Sequence, residues 1–169
     1  MSDTNPLRQV YDTLWDTLEA NSEFAALVLV GNRIKHQGKL RDPEKQDVSG
    51  RDLPEVRIIP SQFQPHLFRT SNGASLLVRY EIQVASGSRL TETVFDVGWA
   101  VFRALSNWSA LLTALTWQGA SFVKKCRPIA AETTLGSGAM NRGIVGWATV
   151  WTGEVEMWFD TDDLQGSGT

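Results

Sequence analysis

The residues of this chain that could do chemistry begin at residues 78–92, VRYEIQVASGSRLTE, where an alternating run breaks at Ser-Gly-Ser and passes into a helical pattern. A junction of that kind can cradle a phosphate or expose a nucleophile. A phosphate loop needs G-x-x-x-x-G-K-[ST], which supplies backbone amides, a lysine and a metal-binding hydroxyl. SGSRLTE has one glycine and no lysine, and the G-x-S-x-G of a nucleophile elbow is also missing. Ser88 or Thr91 acting as a helix N-cap accounts for these polar residues without any catalysis.

The other chemical groupings are thinner. GSGAMNRG at residues 136–143 has Asn141 where a dinucleotide fingerprint places its third glycine, and β-like sequence follows in place of a helix. A loop with Arg142 near its tip is the simpler expectation. His36 and His66 each stand alone in polar surroundings, so neither has the closely spaced partners that zinc requires. Asp160, Asp162 and Asp163 lack the glycine and closing glutamate of a calcium loop. Cys126 lies among Lys124, Lys125 and Arg127, cations that lower a thiol's pKa, but no histidine base is placed beside it. Glu154 and Glu156 alternate with Val155 and Met157 and so share one side of a strand; nothing else converges on them. These residues point to no cofactor and no metal, and the expectation is a protein that is not an enzyme.

The elements that hold these residues follow from periodicity. Asn5-Pro6 opens a helix, with Leu7, Val10, Tyr11, Leu14 and Leu18 on one face and Arg8, Asp12, Asp16 and Glu19 on the other. Ser22 is placed to cap a further short turn through Leu27, ended by Gly31. Residues 35–52 are polar and turn-rich and read as a long loop. LPEVRIIP gives a short strand with Pro54 and Pro60 at its margins. Residues 61–75, SQFQPHLFRTSNGAS, read as a second flexible stretch or the tip of a long hairpin. Val78, Tyr80, Ile82 and Val84 then share one strand face. From residue 90 to 105 the period becomes helical, with Val94, Val97, Val101 and Leu105 as the stripe and Phe95 and Phe102 beside it. Leu111, Leu112 and Leu115 suggest a further short helix. ASFVKKCRPI is a strand, and IVGWATVWTGEVEMWF is one long strand or a hairpin hinged at Thr152 and Gly153.

At 169 residues the chain suits one domain, and the expected division is a single α+β domain over residues 1–160 followed by a polar tail at 161–169. The expected architecture is a mostly antiparallel sheet packed on two main helices, with long polar loops. A formal net charge of -3 gives no whole-molecule attraction to nucleic acid or anionic lipid. One cysteine excludes an internal disulfide. The polar start MSDTNPLRQ and the short apolar runs point to a protein made in the cytoplasm, without a membrane partner. Seven tryptophans, mostly in the second half, are divided between core and interface.

Three segments carry a resemblance: PLRQVYDTLWDTLEANSEFAALV with NRI after it, PEVRII, and VRYEIQVASGSRLTETVFDVGWAVFRAL. Together they resemble the tail terminator (tail completion) proteins of long-tailed bacteriophages and related head–tail joining proteins. The likeness covers the chain to about Trp108 and more loosely the closing strands; it lies in the order of patterns and has no signature motif. It implies a small α+β subunit that assembles into a ring, commonly a hexamer. That ring caps the growing tail tube, stops its polymerisation and meets the head connector. The family brings no catalytic residues. Residues 35–52, 61–75 and the tryptophan-rich end are longer than a minimal member needs.

A ring subunit requires exposed apolar anchors with a polar rim, and Phe63, His66, Phe68, Arg69, Arg142, Trp151 and Trp158 are the sequence candidates. Glu154 and Glu156 are candidates for lining a lumen through which DNA passes as cargo. The implied partners are further copies of the chain, the tail tube protein and the connector, and the implied location is the virion tail or neck, after assembly in the host cytoplasm. The alternatives are a tail-tube, neck or baseplate protein, and a small ligand-binding or hydrolytic α+β domain.

Overall fold

The computed structural model describes residues 6–35, 54–67, 73–85, 90–113, 125–132 and 147–160. They form an α+β domain in the order α1 (Pro6–Ala20), α2 (Ser22–Leu27), a 3-10 turn (Val30–Asn32), β1 (Arg33–Ile34), β2 (Glu55–Leu67), β3 (Gly73–Ala85), α3 (Leu90–Ala104), α4 (Trp108–Thr113), β4 (Lys125–Glu132) and β5 (Trp147–Asp160). The sheet order is β1-β2-β3-β5-β4. Only the two-residue β1 runs parallel to its neighbour; the four long strands are antiparallel.

The alternation of β3 decides which face is covered. Val78, Tyr80, Ile82 and Val84 are fully buried, as are their cross-strand partners Val56, Ile58, Val155 and Trp151. The helices lie on this face. Tyr80 reaches off it to donate a hydrogen bond of 2.9 Å from its hydroxyl to the Leu7 carbonyl of α1, and α3 packs on β5 and β3. Helix α1 contributes Val10, Leu14, Trp15 and Leu18, and α3 contributes Val94, Val97, Val101 and Leu105 just beyond its end. Truncating a residue such as Leu14 would cost about 2–5 kcal/mol, the usual loss for a large core side chain.

The opposite sheet face is polar and half-buried. Arg57, Gln83 and Thr149 lie side by side across three strands, and Arg79 and Glu154 across two. Its groups bond one another. The Arg57 Nε donates to Gln83 Oε1 at 3.0 Å, Gln83 Nε2 donates to Glu81 at 3.1 Å, and Arg79 pairs with Glu154.

The strands correct one expectation and decide between two pairs of readings. The short strand ending at Pro60 is in fact a thirteen-residue β2 that runs to Leu67, and residues 61–67 and 73–75 are paired strand, so they are hairpin arms and not a flexible stretch. Among the described residues β1 covers only Val56 and Arg57, so β2 beyond them lacks a neighbour on one side, a setting in which proline is tolerated. A register shift between Pro60 and Gln62 resets the alternation. Of the two readings for residues 144–159, the long strand holds over the described part, Trp147–Asp160, and Thr152 and Gly153 lie inside β5 with no hinge. The cap of α2 is Asn21 and not Ser22: its side-chain oxygen accepts from the Phe24 amide at 3.0 Å. Thr91 lies within α3, whose first residue is Leu90. Ser88, all but Lys35 of the loop expected at 35–52, all but Glu132 of the loop expected at 132–143, and the tail at 161–169 are outside the described residues.

Candidate interaction surface

Helix α3 has two apolar faces, and only one is used by the core. Its buried stripe leaves Phe95, Trp99 and Phe102 on the other side, at the i, i+4, i+7 spacing that keeps them in one row. Phe95 is 54%, Trp99 59% and Phe102 47% exposed. The Trp99 and Phe102 rings stack with centroids 5.7 Å apart and planes 27° from parallel. With about half of each ring system open, and large aromatics covering 150–250 Å² each, the row leaves roughly 300 Å² of aromatic surface in water. On an ordinary soluble helix this face would be polar.

Charges border the row unevenly. Glu92 and Asp96 are exposed on α3 and have no ion-pair partner among the described residues, whereas Arg103 near the far end is paired with Glu23 of α2. Among the described residues the border is therefore net acidic.

Smaller apolar exposures occur elsewhere. Leu29 and Val30 project at the 3-10 turn, and Phe63 stands half-exposed on the outer part of β2. The turn itself is held firmly. Arg33 donates from Nε and Nη2 to the Val28 carbonyl at 3.1 and 2.9 Å, reaches Glu19 at 3.3 Å, and lies over the Phe24 ring. Lys35 also meets Glu19, at 2.6 Å, and that hydrogen bond, with the help of Arg33, holds the Glu19 carboxyl below the ordinary range. Burial raises the Tyr11 hydroxyl, which donates to the Lys35 carbonyl. Burial also lowers the Arg57 guanidinium from its usual value. A shallow cleft of about 280 Å³ beside α1 is lined by Arg8, Tyr11, Asp12, Trp15, Asp16 and Lys35. Its charged groups are largely engaged with one another or with Glu19.

The residues singled out from sequence fare unequally. Trp151 is not an interface anchor. It is 3% exposed, its ring sits edge-on to Trp108 at 4.9 Å, and it closes the core between β5 and α4. Trp158 is partly buried on the polar sheet face, at the register position of Ser75. Phe63 is exposed as expected. His66 pairs in register with Ser75 on the outer strand, while Phe68, Arg69 and Arg142 lie outside the described residues. Glu154 and Glu156 do share one face of β5, but Glu154 is neutralised by Arg79, and Glu156 sits at the register position of Arg127. Cys126 lies opposite Met157 in the β4–β5 ladder.

The sequence reading places Phe95 and Phe102 beside the α3 stripe but does not group them with Trp99 as an exposed row. The row's signal is present in a helical projection of α3, where Phe102, Phe95 and Trp99 fall together in one sector between the valine stripe and the charged face of Glu92, Asp96 and Arg103. Among the described residues no group of His, Cys, Asp or Glu side chains gathers as metal ligands would, and no helix is long and apolar enough to cross a membrane. No protein-family model matches the chain, and no curated protein matches its sequence.

Proposed function

We propose that the chain is a ring-forming tail terminator of the phage neck, one that caps the tail tube, stops its growth and joins it to the head connector. The observation that carries this reading is the open aromatic row Phe95, Trp99 and Phe102 on α3. Aromatic anchors in one row with a charged border are what a protein that works by docking needs. The sequence resemblance supplies the identity of the partners.

Two further features support assembly by side-chain contact. Head-to-tail closure of a ring needs two unlike patches on each copy, and the Leu29 and Val30 projection and the Phe63 region are separate exposed patches of that kind. The outer strands carry Pro60 and Pro65 in β2 and Pro128 in β4, and edge prolines oppose open-ended main-chain pairing between copies. A subunit that stops polymerisation benefits from such edges, which favours the terminator over a tube protein. Native mass spectrometry of the purified chain tests the reading. A closed oligomer of defined number is expected, and a strict monomer that neither joins virions nor binds tail tubes contradicts it.

A further inference from the structure

We infer that the α3 row is the docking site for a basic, arginine- or lysine-bearing surface of a different protein, and not for a second copy of this chain. The inference rests on the assembly reading above and names the chemistry of what this one face meets.

Charge argues for it. Glu92 and Asp96 stand open beside the row, and among the described residues the one cation at its border, Arg103, is already compensated by Glu23. Two copies placed row against row would bring like-charged borders together, which disfavours self-pairing. The rings argue the same way. An exposed indole stacked on a phenyl, with a carboxylate one turn away, offers an arginine both a π-face and a counter-ion. The size of the row agrees as well. Roughly 300 Å² falls short of the ~800 Å² per partner of a stable stand-alone interface. It therefore suits a contact repeated around a ring, where many weak copies act together.

The test uses the full chain and two synthetic amphipathic helical peptides of equal length and leucine content. One has arginine on its polar face and the other glutamate, and binding is followed by fluorescence anisotropy. The arginine peptide is expected to bind at least tenfold more tightly. That preference should fall at least tenfold both in E92K/D96K and in F95A/W99A, with circular dichroism confirming that each variant is folded. If F95A/W99A binds like the wild type while E92K/D96K does not, binding is general charge attraction and the inference fails. If F95A/W99A alone lowers the mass of the unliganded oligomer, a second copy covers the row and the inference also fails. The assembly reading fails separately: peptide selectivity intact with no ring formed removes the ring and leaves the docking chemistry. Rings with no peptide selectivity do the reverse.

Discussion

The indole of Trp151 lies over the α-carbon of Gly153, two residues along the same strand. A methyl group at Gly153 would run into the ring, with Cζ3 and Cζ2 at 2.7 and 2.8 Å. The ring cannot move aside, because Trp108 stands against it. A glycine in mid-strand, which ordinarily weakens a sheet, is here the space that lets a tryptophan enter the core.

Gly153→Ala should therefore destabilise the fold, by about 1–3 kcal/mol or more as expected for overpacking, where an ordinary strand position would gain from alanine. Urea unfolding measures the loss. Adding Trp151→Leu should recover part of it relative to Trp151→Leu alone, since the smaller side chain leaves room for the methyl group.

Asn21→Ala should cost about 1 kcal/mol through the lost cap of α2, while Ser22→Ala should change stability by less than about 0.5 kcal/mol. Thermal unfolding of the two variants side by side distinguishes them, and equal losses would contradict the capping geometry.

Acid stability should depend on Glu19. Its folded pKa is depressed by Lys35 and Arg33, so its contribution is complete above the unfolded value of about 4.3 and is lost as pH falls from there through the folded value. Glu19→Gln should flatten that part of the stability curve. At neutral pH it should cost roughly 1–2 kcal/mol, because the nearly buried Arg33 loses a charged acceptor. Chemical denaturation from pH 7 to pH 3 gives both quantities.

Removing the aromatic row should leave the fold alone. Phe95→Ala with Trp99→Ala should alter unfolding stability by no more than about 1 kcal/mol, as for surface positions, yet abolish tube capping. A large loss of stability would mean that the row is packed and not open.

Where strict alternation or helical spacing meets the core, the sequence was a sufficient guide. The faces of α1, α3 and β3 lie where Leu14, Val97 and Ile82 place them. It misled where tertiary context overrides local chemistry. Pro60 reads as a strand end only if the strand is paired on both sides there, and among the described residues β1 pairs β2 at Val56 and Arg57 alone. Gly153 reads as a hinge until the Trp151 ring fills the space above it. Trp151 itself reads equally as anchor or core, since an indole suits both, and only its contact with Trp108 decides. The α3 row stayed hidden for the opposite reason: its rings lie beside the valine stripe and read as a widening of the same apolar face, and no periodicity tells how far round the helix the sheet will cover.

Electron microscopy of tail tubes assembled from purified cognate tube protein tests the central claim most directly. With this protein present, tubes should stop short and carry a closed ring at one end, and with F95A/W99A they should grow uncapped. Tubes of unchanged length with bare ends in the presence of the wild-type protein, or long tubes formed by this protein alone, would contradict the account.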